Sequence, residues 1–169
     1  LFEAFFASMD AGEHRINLFC VRRWNDLRDS RKPRCRLFPC LQVHRWGDLV
    51  HAYLATVIRD LDSPWVVVGG VEDHVHILFD IGKKTAPMKF VEHVKRESSK
   101  FVKTLGPQYG KFYWQRGYGM FSVSPKDRDE AESYVRNQEE HHQTRSFQDE
   151  YRAILKKYGI EFDEQYVWD

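Results

Sequence analysis

Two histidines stand one residue apart in GGVEDHVHILFD, residues 69–80. In a strand, residues i and i+2 point to the same face. His74 and His76 are therefore side by side, while Val75, Ile77 and Phe79 point the other way into an apolar layer. Two neighbouring neutral imidazoles make a bidentate platform for a divalent ion. Alone, such a pair is equally what an incidental polar edge on a half-buried strand would look like.

A second group lies in ESYVRNQEEHH, residues 132–142. On a helix, Tyr134 and Gln138 are i and i+4 and share a face, with Asn137 and His141 on neighbouring stripes. That face sets a phenol beside an amide oxygen able to complete a metal site. An ordinary surface helix with a half-buried tyrosine would show the same spacing.

These residues need elements to hold them. DLVHAYLATVIRDL (48–61) places Leu49, Val50, Tyr53, Leu54, Val57, Ile58 and Leu61 on one helical face, and Asp62-Ser63-Pro64 breaks the helix. WVVVGGV (65–71) and HVHILFDI (74–81) read as a hairpin. Thr85 looks like an N-cap with Pro87 in the first turn, opening an amphipathic helix that ends at Gly106. KFYWQRGYGMFSVS (111–124) reads as a strand, or two half-strands around a bend at Gly117 and Gly119. Ser124-Pro125-Lys126-Asp127 has the form of a capping box, predicting a helix from about 125 to 143. Ser146 caps a further helix with Phe147, Tyr151, Ile154, Leu155 and Tyr158 on its apolar face, and the aromatic, acidic tail is expected to pack across the body.

The order from residue 48 is helix, strand, strand, helix, strand, helix, helix. A ferredoxin-like sheet requires one more strand in front, and INLFCV (16–21) is the candidate. The arginine-rich stretch after it is long for a compact domain. The chain thus divides into a divergent segment, 1–47, and a domain, 48–169, with the first strand either missing or divergent.

Composition narrows the function classes. The chain has 169 residues, 42% hydrophobic and 15% aromatic, enough for one packed domain and against disorder. No apolar run is long enough to span a membrane, and the start LFEAFFASMD lacks the basic lead of a signal peptide. The three cysteines, Cys20, Cys35 and Cys40, argue for reduced thiols and a cytoplasmic location. Cys35, Cys40 and His44 match no common zinc spacing. The net charge of +1 conceals an uneven spread, because residues 15–45 and 83–116 are strongly basic and residues 126–169 are acidic. Two basic blocks suggest a surface for a polyanion.

Taken together, His74-Val75-His76, the flanking GGVEDHVHILF, the stretch WQRGYGMFSVSP, and YVRNQEEHH followed by SFQDEYRAILKKYGIEFDEQYVWD resemble the single-tyrosine transposases of small bacterial insertion sequences, including REP-associated relatives. These belong to the HUH endonucleases, named for histidine, bulky hydrophobic, histidine. The likeness runs from about residue 48 to the end. It implies an α+β, ferredoxin-like (RRM-like) antiparallel sheet with helices on one face plus a C-terminal helix. It implies a homodimer that acts on single-stranded DNA with hairpin ends, using Mg²⁺ or Mn²⁺. By position it makes Tyr134 the nucleophile and His74, His76 and Gln138 the metal ligands.

The chemistry is consistent with that resemblance. Phosphodiester cleavage needs an in-line nucleophile and charge relief on the phosphate oxygens. A free tyrosine, with a pKa near ~10, is a weak nucleophile at neutral pH, so a Lewis acid beside it is required. Lys95, Arg96 and Arg116 are candidates to hold phosphates, and Trp114 is a candidate to stack an unpaired base. Two other classes stay open: a nucleic-acid-binding module without catalysis, and a metal-dependent hydrolase with a water nucleophile.

Overall fold

The computed structural model describes residues 5–6, 16–22, 40–63, 66–71, 73–142, 144 and 146–168. Five strands form one sheet in the order β1-β5-β2-β4-β3. They are β1 (Phe5–Phe6), β2 (Ile16–Arg22), β3 (Val66–Val71), β4 (His74–Asp80) and β5 (Gly119–Val123). β1 runs parallel to β5, and the other pairs are antiparallel. With α1 (Cys40–Arg59) between β2 and β3, and α2 (Pro87–Thr104) between β4 and β5, the four main strands have the ferredoxin-like arrangement.

INLFCV does supply the missing strand. β2 lies in the middle of the sheet, bonded to β4 on one side and β5 on the other. A central strand favours a largely apolar sequence, as INLFCV has, and its Leu18 and Cys20 are buried. The arginine-rich residues 23–36 lie outside the described residues, as do the side chains of Cys35, Cys40 and His44.

The sheet is covered on both faces. One face, with Val75, Ile77 and Phe79 of β4, packs on Val50, Leu54, Val57 and Ile58 of α1 and on Phe90, Val91, Val94 and Val102 of α2. The other face, with Leu18 and Cys20 of β2 and Leu78 of β4, packs on Val135 of α3 (Arg128–Arg136) and on Phe147, Tyr151 and Leu155 of α5 (Phe147–Lys157). His74 and His76 are on this second face. β4 is buried almost throughout because both layers cover it.

Several boundaries differ from the sequence expectation. α1 begins at Cys40 rather than 48, since extending an existing helix adds one hydrogen bond per residue without a new nucleation cost. The N-cap of α2 is Ala86, not Thr85, and makes no side-chain cap bond, while Pro87 does occupy the first turn. The strand within 111–124 is confined to Gly119–Val123. The helix expected over 125–143 is divided into a 3₁₀ turn, Pro125–Asp127, then α3, then the short α4 (Gln138–His141). The break falls at Asn137, whose backbone (φ −97°, ψ 23°) leaves the helical basin. Ser124 and Ser146 cap as expected, accepting from the Lys126 and Asp149 amides. The tail also packs as expected: Phe162, Val167 and Trp168 lie against the second core layer, and Arg152 binds both oxygens of Glu164.

Candidate metal and nucleophile site

The hairpin and α3 build the site through close contact. Gly69 pairs with His76 across the β3–β4 ladder. A Cβ on Gly69 would fall 1.9 Å from the Val135 carbonyl oxygen, so α3 lies with its backbone directly on the strand. Only glycine permits that approach, and it carries Tyr134 and Gln138 over the histidine pair.

His74 and His76 are fully buried. The Nδ1 of His74 is 2.7 Å from Asp73 Oδ1, and its Nε2 is 3.2 Å from Gln138 Oε1. The Asp73 carboxylate orients the ring through Nδ1, which leaves Nε2 turned toward the Gln138 amide oxygen. Gln138 is oriented from behind, its Nε2 donating to the Tyr134 carbonyl at 3.3 Å, which turns its oxygen toward His74. A ring nitrogen and an amide oxygen, both groups able to ligate a cation, thus meet at 3.2 Å.

His76 is held by Cys20, its register partner on β2, with Sγ 2.8 Å from Nδ1. Its Nε2 is buried and has no hydrogen-bond partner among the described residues. The nearest charge is Glu150 Oε2 at 3.7 Å. Burial pushes the His76 pKa down to about 4, so the ring is neutral and able to ligate. An orphaned ring nitrogen is costly to bury, and a metal would satisfy it. His74 Nε2 and Gln138 Oε1, 3.2 Å apart, and the buried Nε2 of His76 are donors of the kind a divalent cation takes.

Tyr134 lies against the same pair, its ring centroid 5.4 Å from that of His76. Its hydroxyl donates to Glu150 Oε2 at 3.1 Å. Burial, then the nearby Cys20 and Glu150, raises the phenol well above its ordinary range. The four residues that the sequence singled out are thus brought together, and within one chain.

Four neighbours were not foreseen: Cys20, Asp73, His142 and Glu150. His142 Nε2 lies 3.1 Å from Glu150 Oε2. Among the described residues, His74, His142 and Glu150 each offer a ligand atom within 4.8 Å of the others. Burial alone would raise the Glu150 carboxyl, but the facing His76, His142 and Tyr134 hold it below the usual range. Glu150 did carry a signal, since it sits three residues after Phe147 and one before Tyr151, on the buried side of an amphipathic helix. Cys20 was legible only as the register partner of His76.

The four candidate DNA contacts divide into two kinds. Arg96 and Arg116 are exposed, Arg96 with Glu92, Glu97 and His93 around it. Lys95 is built into the fold: its Nζ donates to the carbonyls of Gln115, Arg116 and Gly117 at 2.9, 3.0 and 3.0 Å. Burial lowers its pKa to about 8, leaving it charged at neutral pH. Trp114 is a core residue, 7% exposed, and its Nε1 donates to Ser98 Oγ. Three carbonyls occupy the Lys95 ammonium, and the first core layer buries Trp114, so neither offers a free surface to a strand in this conformation.

The family follows from comparison of the sequence with known families. Residues 39–138 match the family described as "Transposase IS200 like", and the chain belongs to that family. No curated protein matches it significantly. Among solved structures it is similar to a putative transposase from Deinococcus radiodurans R1, at 17% identity and TM-score 0.50, covering 78% of this chain and 95% of that one. It is also similar to a REP-associated tyrosine transposase solved with a REP hairpin, at 14% identity and TM-score 0.47, covering 76% of this chain and 70% of that one. These likenesses are of fold. No described helix is long and apolar enough to cross a membrane.

Proposed function

We propose that this transposase cleaves and rejoins single-stranded DNA with hairpin ends through a 5′-phosphotyrosine link at Tyr134. The observation that carries the reading is the meeting of His74 Nε2 and Gln138 Oε1 at 3.2 Å beneath the helix that bears Tyr134. Tyr134 Oη attacks phosphorus, the bond from phosphorus to the 3′-oxygen breaks, and a 3′-hydroxyl is left. That hydroxyl reverses the step on a new partner, so joining needs no nucleotide cofactor. Mg²⁺ or Mn²⁺ bound at His74, His76 and Gln138 supplies Lewis-acid charge beside the scissile phosphate. Asp73 and Cys20 hold the two imidazoles, and Gln138 is held by the Tyr134 carbonyl. Arg96 and Arg116 contribute exposed positive charge for the DNA backbone. A homodimer belongs to this reading, although Tyr134 and both histidines come from the same chain.

The test is a denaturing gel with end-labelled oligonucleotides that carry the element's own hairpin ends. Wild type with Mn²⁺ forms a slow-migrating covalent adduct, and Tyr134→Phe forms none while remaining folded. An adduct that persists in Tyr134→Phe assigns the attack elsewhere. DNA binding without any adduct in the wild type favours a binding module without catalysis, a reading consistent with a phenol tied to a buried carboxylate.

A further inference from the structure

Glu150 is a buried carboxylate that the proposed reaction does not use. Its side chain is 4% exposed and lies on the apolar face of α5, near Phe147 and Tyr151. A carboxylate there costs several kcal/mol of desolvation unless its partners offset it. An apolar residue would complete that helix face more simply, which points to a role at the site.

One oxygen, Oε2, carries all of its contacts in the site. It accepts from the Tyr134 hydroxyl at 3.1 Å and from His142 Nε2 at 3.1 Å, and it stands 3.7 Å from the orphaned Nε2 of His76. Donors on one divalent ion at about 2.0–2.2 Å lie roughly 3–4 Å from their neighbours. The 3.7 Å between His76 Nε2 and Glu150 Oε2 falls in that range, as does the 3.2 Å between His74 Nε2 and Gln138 Oε1.

We propose that Glu150 is a shared ligand, whose Oε2 either holds the Tyr134 hydroxyl or joins the histidines around a divalent cation, so that a filled site releases the nucleophile. The inference rests on the metal site proposed above. Its physical basis is competition for one oxygen. A dication in a dry pocket attracts a carboxylate more strongly than a single neutral hydroxyl does. In the exchange Glu150 gives up the Tyr134 hydroxyl, the proton stays on the phenol oxygen, and no covalent bond changes. Phe147 keeps α5 over the site through ring contacts with both His74 and His76, at 4.6 and 6.4 Å, so the carboxylate needs only a side-chain rotation.

Competition makes a prediction that simple ligation does not. Removing the phenol oxygen should strengthen metal binding, because Oε2 loses its other partner. Full-length wild type, His74→Ala, Glu150→Gln and Tyr134→Phe are titrated with Mn²⁺ alone, followed by the EPR signal of the free ion and by calorimetry. The expected result is loss of binding in His74→Ala, at least tenfold weaker binding in Glu150→Gln, and several-fold tighter binding in Tyr134→Phe. Thermal unfolding checks each variant, and if Glu150→Gln does not fold, the tightening in Tyr134→Phe decides. Binding lost in His74→Ala but unchanged in both other variants overturns the role of Glu150 and leaves the metal site standing. No binding by the wild type overturns both.

Discussion

The Val135 carbonyl oxygen occupies the place where a side chain on Gly69 would begin, 1.9 Å from an ideal Cβ. Strand and helix meet there without an intervening side chain, and Tyr134 and Gln138 lie on either side of the contact. Gly69→Ala must therefore push α3 away from the sheet. Overpacking of this kind costs about 1–3 kcal/mol. The expected outcome is a lower urea midpoint, together with weaker Mn²⁺ binding than the loss of stability alone explains, because Gln138 moves off His74. Urea denaturation and calorimetry on the same preparation measure both.

Lys95 and Arg116 should separate stability from DNA affinity. Lys95 holds three successive carbonyls, 115 to 117, from the middle of α2. Lys95→Met leaves them without that donor and should cost roughly 2 kcal/mol, in line with hydrogen bonds to charged groups. Its log K against log salt slope for single-stranded DNA should stay near the wild-type value. Arg116→Ala should do the reverse, leaving the unfolding midpoint in place and reducing the magnitude of the slope by about 1. A flattened slope in Lys95→Met would place its ammonium on the DNA instead.

Cys20 should act on the metal through His76. Its sulfur lies 2.8 Å from Nδ1 and fixes which ring nitrogen faces the site. Cys20→Ala removes that partner without adding volume to the packed layer. Mn²⁺ affinity is expected to fall by about 10-fold or more, the usual cost of losing an outer partner of a ligating histidine. Cys20→Ser keeps a polar partner and should recover most of it. Calorimetry distinguishes the two, and equal affinities for both variants would mean that packing, not the hydrogen bond, sets the ring.

How much of this was legible in the sequence depends on the kind of pattern each feature leaves. His74 and His76 fall on one strand face by the period of two, and Tyr134 and Gln138 fall on one helix face by the period near four. Both relations survive the break at Asn137 because it lies between turns and leaves the Tyr134 carbonyl within reach of Gln138 Nε2. INLFCV was legible because a central strand favours a largely apolar sequence. Lys95 and Trp114 lie deeper than their residue types suggest for a common reason: residue type alone does not tell a cation that solvates a helix from one that holds three carbonyls, or an exposed ring from one that fills a core. Glu150 broke the apolar pattern of α5, and such a break reads equally well as an imperfect helix until a histidine and a phenol are seen to face it.

The last prediction concerns which chain supplies which part of the site. The resemblance to single-tyrosine transposases implies a homodimer, in which the tyrosine helix could serve either its own histidines or those of the partner. Here the ring of Tyr134 is 5.4 Å from the ring of His76 in the same chain, and Gln138 of that chain meets His74. The contact of α3 with β3 through Gly69 allows this without a crossing segment. Within this chain Tyr134, His74, His76 and Gln138 come together in cis. A mixture of Tyr134→Phe and His74→Ala proteins should then form no covalent DNA adduct, even if the subunits associate, because every chain lacks one part of its own site. The control is a mixture of wild type with either variant, which should give adduct in proportion to its wild-type chains. Adduct from the mixture of the two variants, at more than a few per cent of the wild-type yield, would show that the helix bearing Tyr134 exchanges between subunits when DNA is bound.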